Sequence, residues 1–454
     1  MLRTLVVMFM AFAIVAQPTL ASAQSQQLPI VRDAEIEALL NDYAQPLLRA
    51  AGIRRDRVDI ILVNSKSFNA FVSGTRIFMH TGAIVEAETP NEIIGVLAHE
   101  IGHLAGGHQD RLRQQLDRAQ IISVVGSLLG LAAAAAAGAS GNGSGVAAAG
   151  GIAAGSTEAA RRGLLAYQRS EEQAADRAAL DYLNATGQSG MGLLTTFNRF
   201  ERNIALNRDR INPYRISHPL PRDRIVALET LVKASPNVDK KDPPALQERH
   251  DMARAKILAY SYGRGAVESL ATDRPNSKAA QYGRAIAQFL YGNPREGARA
   301  LDAMIAADPR NPYLHELKGE AMLVAGDANA AADALSRAVQ LTGGREATML
   351  VALGHALVLK GDEQSLRRAV GELEVAASID PFNARAYRHL AMAYGRLGED
   401  GNAQLATAEE KFHTGQYRDA KVFAARAKRQ FQRSDPQWLR ADDITNFEIP
   451  DNRR

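Results

Sequence analysis

The run His99-Glu100-Ile101-Gly102-His103 places two imidazoles and a carboxylate within one short stretch. On an α-helix each residue advances about 100°, so His99 and His103 share a face, one turn apart. Two imidazoles in that register can hold one Zn²⁺ per chain. Glu100, beside them, can take a proton from an attacking water. The chemistry implied is peptide-bond hydrolysis. The residues in front support a helix: Thr89-Pro90 marks its start and Glu92 suits its positive N-terminus. Ile93, Val96, Leu97, Ile101 and Leu104 recur at spacings of three and four, which predicts a buried stripe. The bland alternative is a surface helix with two incidental histidines, and it sits poorly with that stripe.

A catalytic zinc needs a third protein ligand and an open position. The chain has no cysteine, and no glutamate lies between His103 and Ser156. His108 lies nine residues after His99, on the opposite side of a continuing helix, and reads as a structural residue or one supporting the ligands. In Tyr167–Asp176, Glu172 and Asp176 fall one helical turn apart. Glu172 would complete the metal site, as in the gluzincin class. Asp176 would accept a hydrogen bond from the outer nitrogen of a ligating histidine and fix its tautomer. Glu171, about 100° away, is the fallback ligand. A solvated charged helix is the competing reading of this segment.

HExxH followed by Arg169, Glu172, Ala175 and Asp176 resembles the HtpX and CAAX-prenyl-endopeptidase family of zinc proteases. Phe68–Phe71 with Ile77–Gly82 is similar to the strand pair before that family's HExxH helix. Ser217-His218-Pro219 with Arg222 and Arg224 is similar to its H-P-x-x-x-x-R segment. The resemblance spans residues 55 to 230, with its four motifs in order. It implies that His218 sits near the metal, either as a fourth ligand closing the resting enzyme or as a stabiliser of the oxyanion after its loop moves. A plain loop histidine remains the alternative. Arg169 and Arg224 are expected to support the ligands, Arg224 by bracing the His218 loop or the Glu172 helix.

The elements that must position these residues follow from patterning. Val31–Ala51 reads as an amphipathic helix, Val58–Val63 as a strand, and Thr75–Thr81 as a second strand after a turn at Gly74. Such a hairpin could bind a substrate backbone by strand addition or could be purely structural. Residues 121–155 are apolar and rich in alanine and glycine. They read as a helical hairpin that packs on the protease or touches a membrane surface, with a transmembrane hairpin as the alternative. Residues 24–234 form the expected protease domain and 235–248 a polar linker.

Beyond the linker, Gly292, Gly326, Gly361 and Gly398 mark turns at intervals of 34, 35 and 37 residues. The texture resembles tetratricopeptide repeats over residues 249–441, an α-solenoid whose inner groove would bind a partner or substrate. A degenerate unit is expected from Met252 to Leu270 and a final helix from Gly415 to Asp435-Pro436. Residues 442–454 are left as a tail. The expected fold is therefore mainly α: an α+β gluzincin-type domain followed by a solenoid.

Met1–Ala23 carries Arg3, an apolar core and Ala21-Ser22-Ala23, which predicts a secretory signal cleaved after Ala23. An uncleaved anchor is the alternative. The signal looks bacterial and points to the periplasm. A formal net charge of +4 over 454 residues is too small to argue for nucleic acid. Signal, zincin and repeats together resemble periplasmic quality-control proteases. That implies clients among unfolded or stalled outer-membrane proteins, with the barrel-assembly machinery as a further partner of the repeats. A docking scaffold with a silent metal site and a narrow-specificity processing peptidase are the competing functions.

Overall fold

The computed structural model describes residues 28–139, 143–206, 214 and 218–449. The expected signal and its cleavage site lie outside the described residues. The first half is a small sheet under helices: β1 (Ile30–Val31), α1 (Ala34–Ala50), β2 (Asp59–Val63), β3 (Ala70–Ser73), β4 (Arg76–His80), α2 (Thr81–Glu86) and α3 (Pro90–Gly106). Then follow α4 (His108–Ala139), α5 (Gly143–Ala185), α6 (Met191–Leu206) and α7 (Arg222–Lys233). Asp33 caps α1 by accepting from the Ile36 amide.

Strand order in the sheet is β1-β2-β4-β3. β2 pairs with β4 in parallel, Asp59 against Arg76 and Val63 against His80. The two strands expected to form a hairpin are thus parallel neighbours. The true hairpin joins β3 to β4 through Gly74, at φ +61°. Phe71 and Phe78, paired across it, stack at 4.9 Å. β3 is left as an outer edge.

The second half is helical throughout: α8 (Pro244–Tyr262), α9 (Arg264–Ala271), α10 (Lys278–Tyr291), α11 (Pro294–Ala307), α12 (Pro312–Val324), α13 (Ala328–Leu341), α14 (Ala347–Lys360), α15 (Glu363–Ile379), α16 (Ala384–Arg396), α17 (Asp400–His413), α18 (Tyr417–Ala427) and α19 (Pro436–Asn446). From α10 to α19, each helix packs on the next. At Gly326-Asp327 and Gly361-Asp362 the glycine closes one helix at φ +75° and +79°. The aspartate then caps the next helix. That pairing is why the turns recur. The final helix expected to reach Asp435 stops at Ala427, and a separate helix starts at Pro436. This helix runs through the boundary expected at 441 and buries Ala441 and Ile444 against α17 and α18.

The expected linker is short and anchored. Its last residues already belong to α8. Ser189 Oγ donates to Val238 O (2.8 Å), and Asp242 Oδ2 accepts from the Asn91 amide (2.9 Å) at the head of α3. α8 has a face in each half: Ala253 and Ile257 join the core of the first, while Met252, Ala255, Leu258 and Ala259 join the core of the second. Between the halves Lys256 is buried. Its Nζ lies 2.8 Å from Asp33 Oδ2 and 3.2 Å from Glu35 Oε2. Tyr282 Oη donates to the same Glu35 oxygen at 2.5 Å.

Candidate metal centre

Every residue of α3 from Glu92 to His103 is buried. The helix runs deep because its neighbours come close. A Cβ at Gly102 would lie 2.9 Å from the Ala175 carbonyl on α5. α5 thereby brings Glu172 and Asp176 against the two histidines.

Four ligand-type side chains converge: His99, His103, Glu172 and His218, all buried, with ligand atoms within 4.8 Å of one another. His99 Nε2 lies 3.0 Å from His103 Nε2, 3.4 Å from Glu172 Oε2 and 3.3 Å from His218 Nδ1. Glu172 Oε1 lies 3.4 Å from His103 Nε2 and 3.1 Å from His218 Nδ1. Zinc bonds of 2.0–2.1 Å give a tetrahedron with edges of about 3.3 Å. The donor set therefore fits a zinc ion, with His218 at the fourth corner.

The supporting shell assigns the tautomers. Asp176 Oδ1 lies 3.0 Å from His99 Nδ1, which turns His99 Nε2 toward the centre. His103 Nδ1 pairs with His108 Nδ1 at 2.8 Å, and His108 Nε2 reaches Glu171 Oε2 at 3.1 Å. His108 does not lie on the far side of a continuing helix. Gly107 ends α3 at φ +62° and re-aims the chain, so His108 folds back under His103. Gly106 makes the room, since a Cβ there would fall 2.1 Å from the His108 ring. Glu171, the fallback ligand, is taken by His108 and Arg111 and faces away from the cluster.

Arg224 is the buried counter-charge. It pairs with Asp176 at 2.5 and 2.8 Å, with Glu172 at 2.7 Å, and donates to the Pro219 carbonyl at 2.9 Å. It braces both the Glu172 helix and the His218 loop. Arg169 is exposed and is not brought to the centre. The sequence reading missed Tyr214, whose ring lies 4.6 Å from that of His218. No spacing signal in the sequence points to it.

Glu100 is fully buried with neither carboxylate oxygen hydrogen-bonded, and His218 Nε2 lies 3.4 Å from Oε1. Burial pushes the Glu100 carboxyl above its ordinary value. Burial also drives His103 down to about 3. At His99 burial opposes the charge, but Asp176 and Glu172 outweigh it and raise the ring to about 9. Glu172 is held well below the usual carboxylate range: burial opposes this, and His218 and His103 overcome it.

Metal-assisted peptide hydrolysis uses a metal held by such ligands with a proton carrier beside it, and the geometry fits a metallopeptidase centre of the HExxH-plus-glutamate class. Residues 31–232 match the model of peptidase family M48. The chain is 25% identical over 323 residues to the beta-barrel assembly-enhancing protease of Escherichia coli (strain K12). That alignment covers 69% of this chain and 63% of the relative. A putative beta-barrel assembly-enhancing protease of Vibrio cholerae is 26% identical over 297 residues, covering 63% of this chain and 58% of the relative. The Yersinia pestis protein of the same name is 25% identical over 306 residues, covering 64% of this chain and 58% of the relative. The chain thus spans less than two thirds of these relatives' length.

Proposed function

We propose that the protein is a periplasmic zinc endopeptidase that cleaves stalled or misassembled outer-membrane proteins. Its helical array, read as tetratricopeptide repeats, would hold the client or the barrel-assembly machinery. The observation that carries the reading is the ring of four ligand atoms with the buried Glu100 carboxylate beside it. The relatives' name and the expected export signal support the client class and the compartment.

Zinc bound there supplies a Lewis acid that polarises a carbonyl and acidifies a water. Glu100 takes the proton of the attacking water and hands it to the leaving amine. Its raised pKa suits a group that must carry the proton between those steps. Asp176 and His108 keep His99 and His103 turned inward. The edge of β3 is the strand a client backbone would extend. Part of that edge is held by Gln109, which accepts from the Gly74 amide at 3.2 Å and donates to the Val72 carbonyl. His218 sits at the corner that a water or client needs, so the resting site is closed and the loop must move first.

That closure also favours a second reading, a docking scaffold whose metal site is silent. One experiment separates the two. The chain with His218→Ala is given an unfolded outer-membrane barrel protein, beside the same chain with Glu100→Gln added. Cleavage faster than wild type, abolished by chelator and by Glu100→Gln, is the expected result. No cleavage by a folded chain carrying one equivalent of zinc would favour the scaffold.

A further inference from the structure

Helices α4 and α5 form a long hairpin whose polarity is turned inside out. Along α4 the half-buried positions are Leu112, Gln115, Ala119, Ser123 and Ser127, at helical spacing on the side toward α5. Ser123 Oγ hydrogen-bonds Thr157 Oγ1 across the hairpin at 3.1 Å, and Ser127 Oγ turns back to the Ser123 carbonyl at 2.8 Å. The large aliphatic side chains point the other way. Ile121, Ile122, Val124, Val125, Leu128 and Leu129 are each about half exposed or more, Ile121 by 61% and Leu128 by 60%. A helix folded for water would show the opposite pattern. Small and hydroxyl residues between helices, with aliphatic residues outside, suit an apolar surrounding.

We infer that this hairpin docks into the interfacial layer of an anionic phospholipid bilayer. Three observations favour lipid over a protein groove. At 100° per residue the six aliphatic positions cover an arc of about 160°, wider than the stripe a groove grips and suited to a fluid medium. The Ser123–Thr157 bond sets the register of the hairpin, so Arg118 on α4 lies level with Arg161 and Arg162 on α5, just beneath the aliphatic zone. Arg113 lies one turn further down. The acidic residues at this level are Asp117 and Glu158, and Glu158 is paired with Arg161 and Arg162. A cationic collar beneath the aliphatic face of residues 121–129 matches headgroup phosphates over acyl chains. Among the described residues no helix is long and apolar enough to cross a membrane. The inference does not depend on proteolysis.

The chain has no cysteine, so a single Leu128→Cys accepts one polarity-sensitive fluorophore. A second preparation carries the dye at Val422→Cys, an exposed site on α18. The full chain is titrated with vesicles of phosphatidylglycerol and phosphatidylethanolamine, and separately with phosphatidylcholine vesicles. The expected result is a blue shift at position 128 with the anionic vesicles and none at position 422. Arg118→Gln and Arg162→Gln should each raise the lipid concentration for half-saturation about fivefold, with zinc content unchanged. Equal shifts at both positions, or none at 128, would overturn the inference, as would a half-saturation that ignores both arginine changes. A shift at 128 that grows with protein concentration before lipid is added would assign the face to a second copy of the chain.

Discussion

The metal centre and the seam around Lys256 are both buried clusters of charge, and they are built to opposite ends. At the seam one buried cation gathers the carboxylates: Lys256 meets Asp33 and Glu35, Tyr282 donates to Glu35, and the buried Glu316 carboxylate is drawn to the same ammonium. At the centre Arg224 matches Asp176 and Glu172, but the Glu100 carboxylate and His218 Nε2 are left without hydrogen bonds. These two groups face one another at 3.4 Å, an ion pair without a hydrogen bond, beside the place a metal would take. The seam stores its charge for structure, and the centre holds part of its charge in reserve for chemistry.

The sharpest test of that contrast is Glu100→Gln in the opened His218→Ala background. Turnover should fall by about 10²- to 10⁴-fold, the usual worth of a proton carrier, with zinc still bound at one equivalent. Next, Lys256→Met should strand the buried carboxylates of Glu35 and Glu316 and cost about 3–5 kcal/mol in urea unfolding while leaving zinc affinity untouched. A loss of zinc affinity in that variant would break the separation between the two clusters. Asp176→Asn should weaken zinc about 10- to 100-fold by loosening the His99 tautomer, and should also cost stability because the buried Arg224 loses a carboxylate partner.

The smallest effect is one of pH. Burial lowers His250 to about 4, and its ring is held between the Tyr43 hydroxyl (3.2 Å) and the Ala87 carbonyl (3.0 Å). Its folded pKa lies below the unfolded value, so the unfolded chain takes the proton first. The stability held by the neutral ring is lost as pH falls from about 6.5 toward 4, with a slope of at most about 1.4 kcal/mol per unit. His250→Gln should flatten that slope in unfolding curves measured across the range.

Much of the centre was legible because helical periodicity is a face map. His99, His103, Glu172 and Asp176 could be placed on shared faces from spacing alone, and motif resemblance added His218 and Arg224. The errors lie where geometry depends on a single backbone angle or on non-local pairing. Gly107 in the left-handed region turns His108 back under His103, which no periodicity reveals. β2 and β4 are neighbours in the sheet but run parallel, because β3 lies between them in sequence and is the hairpin partner of β4. Arg169 fits its motif by spacing, yet only the packing of α5 decides which face meets the metal, and Arg169 lies outside it. The repeat turns were readable because glycine and a capping Asp or Asn are local signals. The anchoring of the linker through Asp242 and Ser189 was not, since both contacts reach far along the chain.

Helix α8 lends one face to each core, and its continuation toward α3 is tied down at Asp242. The array cannot melt without opening the peptidase, nor the peptidase without stripping α8 from the array. Heating should therefore produce one calorimetric peak whose van't Hoff and calorimetric enthalpies agree, rather than the two steps expected of beads on a string.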